Sequence, residues 1–154
     1  MTKIIFICLG NICRSPMAEF IMKDLLIKEN LSDKISVCSA GTSGYHDGED
    51  MHIKTKNLLK AKNIPAKNFS SKKLNEDLCK ENDLIIVMDN SNFKDVSINF
   101  SKYAHKIQKI TDYALNLDYQ EVPDPWYSGN FEETYTILSN ACSNLLKSLY
   151  KNLK

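Results

Sequence analysis

The stretch K-I-I-F-I-C-L-G-N-I-C-R-S-P, running from Lys3 to Pro16, decides the fold. Ile4 to Ile7 are continuously apolar, the pattern of a strand buried on both faces, as in a parallel sheet covered by helices. Leu84-Ile85-Ile86-Val87-Met88 repeats that pattern in mid-chain. Strands are predicted over Lys3–Ile7, Ile35–Ser39, Leu84–Met88 and Lys106–Lys109. Helical spacing separates them. Pro16 suits a first helical turn, where its missing N–H costs nothing. Beyond it Ala18, Ile21, Met22 and Leu25 share one face, with Glu19, Lys23 and Lys28 elsewhere. Further helices are predicted over Ile53–Lys62 and over Asn92–Phe100, the latter with Phe93, Val96 and Phe100 inward. In the last helix Phe131, Tyr135, Leu138, Cys142, Leu145 and Leu149 alternate spacings of four and three.

This alternation of strand and helix predicts an α/β fold. The expected arrangement is a single domain over 1–154, with a central four-stranded parallel sheet of order 2-1-3-4 and helices on both faces. Ligands in such folds sit beyond the C-terminal strand ends. Cys8–Ser15 occupies that position after the first strand.

The chain has 154 residues, 43% apolar and 25% charged, with a net charge of +1. That balance excludes a large field directed at nucleic acid or an anionic membrane, so any anion preference must be local. No stretch approaches the length of a membrane span. The five cysteines, Cys8, Cys13, Cys38, Cys79 and Cys142, are odd in number and lack zinc-ligand spacing. A reduced, cytoplasmic protein without metal or cofactor is expected.

Five residues separate Cys8 from Arg14, and the segment has the parts of an oxyanion site. A short loop between a buried strand and a helix turns successive N–H groups inward. The helix start adds unpaired N–H groups and its dipole. Arg14 supplies a planar fork for two phosphoryl oxygens. Gly10 and Asn11 suit unusual dihedrals. The same field favours a thiolate at Cys8, and Ser15 is placed to donate a hydrogen bond to that sulfur. Taken singly, Cys8 reads as a small buried hydrophobe, Arg14 as a solvated side chain and Gly10 as a turn residue. Their combination at this position points to nucleophilic catalysis on a phosphoryl group.

C-L-G-N-I-C-R-S-P, together with D-P-W-Y at Asp124–Tyr127, resembles the low-molecular-weight protein tyrosine phosphatases. S-A-G-T-S at Ser39–Ser43 and M-D-N-S-N at Met88–Asn92 are also similar to family segments. The resemblance implies a phosphotyrosine hydrolase with Cys8 as nucleophile, Arg14 as phosphate clamp and Asp124 as general acid and then base. Leu9, Gly10, Asn11, Ile12, Cys13 and Ser15 would form the phosphate loop, and Ser39 would brace it with Asn11. Asp124, stiffened between Pro123 and Pro125, reads by itself as a loop or capping residue. Cys13 matches a cysteine that pairs reversibly with the nucleophile in the family, and loop packing is an equal reading.

Tyr45, Trp126 and Tyr127 are expected as an aromatic rim, favouring an aryl phosphate. Ile12 stands where related arginine phosphatases resemble one another in having threonine, and an apolar wall suits a tyrosine ring. The sequence departs from the family pattern at Asn68, Ser71 and Cys38, where a bracing histidine and both ends of an ion pair are replaced, which questions how rigidly the loop is held. Arginine phosphatase, arsenate reductase and a non-catalytic phosphotyrosine module are the rivals. For arsenate reductase the cysteines are misplaced, Cys79 preceding the third strand and Cys142 lying in the last helix. Expected partners are phosphotyrosine proteins and a tyrosine kinase, with a monomer or weak dimer, and neither nucleic acid nor membrane.

Overall fold

The structure is a computed structural model, and it describes residues 1–151. Its elements run β1 (Thr2–Cys8), α1 (Arg14–Lys28), β2 (Ile35–Gly41), α2 (Ile53–Ala61), α3 (Glu76–Glu81), β3 (Leu84–Val87), α4 (Asn90–Asn99), β4 (Ile107–Lys109), α5 (Pro125–Ser128) and α6 (Phe131–Tyr150). Short 3-10 turns, Ser101–Lys106 and Ile110–Tyr113, flank β4. The four strands are parallel in the order β2-β1-β3-β4, as expected.

Strand β1 is central, and its side chains alternate between two cores. Ile4, Phe6 and Cys8 belong to the core shared with α1 and α6, while Ile5 and Ile7 pack with Leu74, Cys79, Val96 and Tyr103 on the opposite face. Both faces are covered, which is why polar residues are absent from Ile4–Ile7. The stripe of α6 docks as its spacing predicts, with Phe131, Leu138, Cys142 and Leu145 buried and Tyr135 and Leu149 partly so.

Three details differ from the sequence reading. Glu19 is buried, at 6% exposure, although its place on the helix set it apart from the apolar face; α1 is enclosed nearly all round from Arg14 to Met22. Phe93 is 38% exposed, whereas Val96 is fully buried and Phe100, four residues on, packs partly buried against the same core. Helix α3, capped by Asn75, is too short to show an apolar period.

Topology fixes the site. β1 and α1 are joined by only five residues, Leu9 to Cys13, and the ends of β2 and β3 flank that loop.

Candidate active site

The loop after β1 is tied from outside by its carbonyls. Thr42 N–H donates to Cys8 O at 2.9 Å, Ser43 N–H to Leu9 O at 3.0 Å and His52 N–H to Ile12 O at 2.8 Å. Ser71 Oγ donates to Asn11 O at 2.7 Å. In a trans peptide the carbonyl and the next N–H point oppositely. Anchoring these four carbonyls outward therefore turns the N–H groups of Leu9, Gly10, Ile12 and Cys13 toward the bowl. Asn11 N–H also points in, donating to Cys8 Sγ at 3.3 Å. Helix α1 then starts at Arg14 with no side-chain cap, leaving its first N–H groups available to an anion.

Asn11 carries the loop's shape. It is fully buried with φ at 57°, a left-handed conformation that asparagine tolerates better than most residues. Its Nδ2 donates to Ser15 Oγ at 2.8 Å and Ser39 Oγ at 2.9 Å, and its Oδ1 accepts from Lys72 N–H at 3.0 Å. Ser39 Oγ in turn donates to Glu19 Oε1 at 2.7 Å, while Glu19 Oε2 pairs with Lys23. Because Ser15 Oγ accepts from Asn11, its own proton is free for Cys8 Sγ, 3.0 Å away; the competing Ala40 carbonyl is at 3.5 Å.

Of the two residues expected to take unusual dihedrals, Asn11 uses the left-handed region and Gly10 does not. Its need is space, since a Cβ there would lie 3.1 Å from His46 Cδ2. At Gly41 a Cβ would come within 2.7 Å of the Leu9 carbonyl, so β2 approaches the loop only as glycine.

Arg14 is 3% exposed. Its Nη1 donates to Asp89 Oδ2 at 2.8 Å and to the Val122 carbonyl at 2.9 Å, and Nη2 lies 3.5 Å from Asp124 Oδ2. Burial works against its charge, but Cys8, Asp89 and Asp124 outweigh that effect and hold the guanidinium above its ordinary pKa. Val122 is buried and its N–H donates to Met88 O at the end of β3, which brings the following Pro-Asp-Pro over the loop. Asp124 caps α5 through Trp126 N–H at 3.0 Å, and it also lines the cleft above the loop.

Burial pushes the Cys13 thiol up to about 12, with Cys8 and Asp124 adding to the effect and Arg14 and Thr55 opposing it. It is a protonated thiol at neutral pH. All five cysteines are free.

A cleft of about 480 Å³ opens above the loop. Cys8, Ile12, Arg14 and Asp124 line its floor and walls, and Tyr45, Trp126 and Tyr127 its rim. Asn11, Ser15 and Ser39 sit behind it as braces. Two histidines the sequence reading did not single out pack against Tyr45 and Trp126 of the rim. The His46 ring lies 4.9 Å from Tyr45 and 6.2 Å from Trp126, and His52 lies 5.6 Å from Trp126. Asp89 and Glu19 were also missed; Asp89 lay within the quoted M-D-N-S-N segment, and its pairing with Arg14 is the signal that segment carried.

A family model described as low molecular weight phosphotyrosine protein phosphatase matches residues 3–154. The chain belongs to this family. A low molecular weight protein-tyrosine-phosphatase of Bacillus subtilis, YfkJ, is 39% identical over 152 residues, covering 98% of this chain and 97% of that protein. Its crystal structure superposes with a TM-score of 0.95, covering 100% of this chain and 98% of that one. The solution structure of the low molecular weight protein tyrosine phosphatase from Campylobacter jejuni is 64% identical with a TM-score of 0.78, covering 97% of this chain and 96% of that one. The arginine phosphatase YwlE, in a mutant carrying a phosphorylated active-site serine, is 29% identical with a TM-score of 0.85 and 97% coverage of both chains. The chain is thus a phosphatase with the family's four-stranded parallel sheet. No helix among the described residues is long and apolar enough to cross a membrane, and no group of three or more His, Cys, Asp or Glu could hold a metal there.

Proposed function

We propose that Cys8 attacks the phosphorus of phosphotyrosine, that Arg14 and the inward N–H groups hold the equatorial oxygens, and that Asp124 protonates the departing phenolate. Water then cleaves the cysteinyl phosphate with Asp124 as base, releasing phosphate and the Cys8 thiolate. Positive charge comes from the guanidinium and amides, so the scheme requires no metal. The observation that carries this reading is the sulfur at the floor of a loop with outward-tied carbonyls, with Asn11 N–H and the Ser15 hydroxyl both directed at it.

The aryl specificity rests on the cleft wall and rim. Ile12 is 8% exposed and presents an apolar wall, while Tyr45, Trp126 and Tyr127 are exposed around the mouth, where a phenyl ring can stack. A phosphoarginine guanidinium would be set against the same apolar surface. The substrates are phosphotyrosine proteins, in a cytoplasmic setting shared with a tyrosine kinase, and the acting form is a monomer or weak dimer.

The deciding experiment compares phosphotyrosine and phosphoarginine peptides with wild-type protein, Cys8→Ser and Ile12→Thr. Turnover of phosphotyrosine is expected to dominate in the wild type and vanish in Cys8→Ser. A wild-type preference for phosphoarginine would overturn the substrate assignment.

A further inference from the structure

A second cavity, of about 420 Å³, opens on the far side of the phosphate loop. Its volume lies within the range typical of small-molecule pockets, roughly 300–1,000 Å³. Cys38 and Ser71 contribute only small side chains to its wall, and the edge-packed rings of Phe20 and Phe69, 6.0 Å apart, give it a firm side. Three lysines face into it: Lys23, Lys67 and Lys72. Lys23 is committed to Glu19, the one carboxylate present. Lys67 and Lys72 have no carboxylate partner among the described residues. We propose that this cavity is a second oxyanion site, taking a phosphoryl dianion either free or on a small aliphatic ester.

Charge selects the ligand. Two ammonium groups are left uncompensated, which a dianion neutralises, and each is a mobile donor suited to a phosphoryl oxygen. A cationic ligand would have to displace Lys23 from Glu19 against the field of the other two. Lys72 is felt inside the cavity: the Cys38 thiol in its wall is pushed up by burial and pulled down by Lys72, with Glu19 raising it and Asn82 and Lys23 lowering it.

The wall is also the back of the catalytic loop. Ser71 Oγ and Lys72 N–H hold Asn11 O and Oδ1, and Ser39 accepts from Asn11 Nδ2. An occupant therefore touches three residues that fix Asn11, which in turn contacts Cys8 and Ser15. The site itself does not depend on the phosphatase reading.

Per-residue NMR keeps the two sites apart. ¹⁵N-labelled protein is titrated with inorganic phosphate and, separately, glycerol 3-phosphate, at constant ionic strength so that screening does not imitate binding. Amides of residues 67–73 and Ser39 are expected to follow a saturating curve with a dissociation constant different from that of amides 9–15. In the double variant Lys67→Ser/Lys72→Ser, both positions being exposed, the curve at 67–73 is lost. Saturation by both ligands assigns the ester, and by phosphate alone the free anion. Linear or absent shifts at 67–73, or saturation that survives the double substitution, would overturn the site. Failure of amides 9–15 to respond would count against the catalytic reading instead.

Discussion

Asn11→Ala strikes the point at which the loop's geometry and its chemistry meet. The side chain makes three hydrogen bonds, to Ser15, to Ser39 and from Lys72 N–H, between 2.8 and 3.0 Å. At about 1 kcal/mol net for each, their loss costs roughly 3 kcal/mol. Alanine must also hold φ at 57°, which adds about 1–2 kcal/mol. A destabilisation of about 4–5 kcal/mol takes up much of a typical domain's total of roughly 5–15 kcal/mol. Asn11→Gly loses the same bonds without the strain. Part of that advantage goes to its freer unfolded chain, so it should be more stable than alanine by about 0.5–1 kcal/mol. Urea denaturation of the three proteins measures both differences. Activity falls separately, because the Ser15 hydroxyl is no longer directed at the sulfur by its bond from Asn11. Losing one hydrogen bond to a charged group, roughly 1.5–3 kcal/mol, corresponds to about 10–100-fold in kcat for p-nitrophenyl phosphate. The reasoning fails if Asn11→Ala costs less than about 1 kcal/mol, or if kcat is unchanged in the folded variant.

Asp124→Asn should lower turnover of phosphotyrosine by about 10²–10⁴-fold, and less for p-nitrophenyl phosphate, whose leaving group needs little protonation; equal losses on both substrates would remove Asp124 from the acid role. In Asp89→Asn the cap on Asn92 N–H is kept, asparagine being as good an N-cap, but the buried Arg14 loses its charged acceptor. The amide group that replaces Oδ2 is a donor and cannot accept from Arg14 Nη1, which keeps only the Val122 carbonyl. The melting temperature should therefore fall, and KM should rise about tenfold, a hydrogen bond to a charged group being worth roughly 1.5–3 kcal/mol. Cys13 keeps its proton to about pH 12 when folded but releases it near its ordinary 9.0 when unfolded. Its stabilising contribution is therefore complete below pH 9 and is lost as pH rises from there toward 12. Urea midpoints at pH 8 and 10.5 should fall more steeply for the wild type than for Cys13→Ala, and equal slopes would contradict the burial argument.

The sheet was legible because Ile4–Ile7 and Leu84–Val87 are buried on both faces, and continuous apolar runs are hard to read otherwise. Cys8, Asn11, Arg14 and Ser15 were legible because they are contiguous and their spacing carries the geometry. Glu19 was not. On a helical wheel it lies away from the apolar face, and only the tertiary position of Ser39, 2.7 Å from its carboxylate, explains its burial. The concern over Asn68, Ser71 and Cys38 assumed that the loop relied on an ion pair; instead a serine hydroxyl and a backbone N–H hold Asn11. Asp89 reaches the site through Arg14, and His46 and His52 reach the rim through Trp126, partners far away in sequence and beyond the reach of local pattern.

The outward-tied carbonyls have a kinetic consequence. Their partners, Thr42, Ser43, His52 and Ser71, belong to the scaffold and not to any ligand. The conformational entropy of shaping the bowl is thus spent when the chain folds and not at each encounter with substrate. Departure of phosphate leaves a vacancy that is already the right size, and successive turnovers need no reassembly of the loop between them.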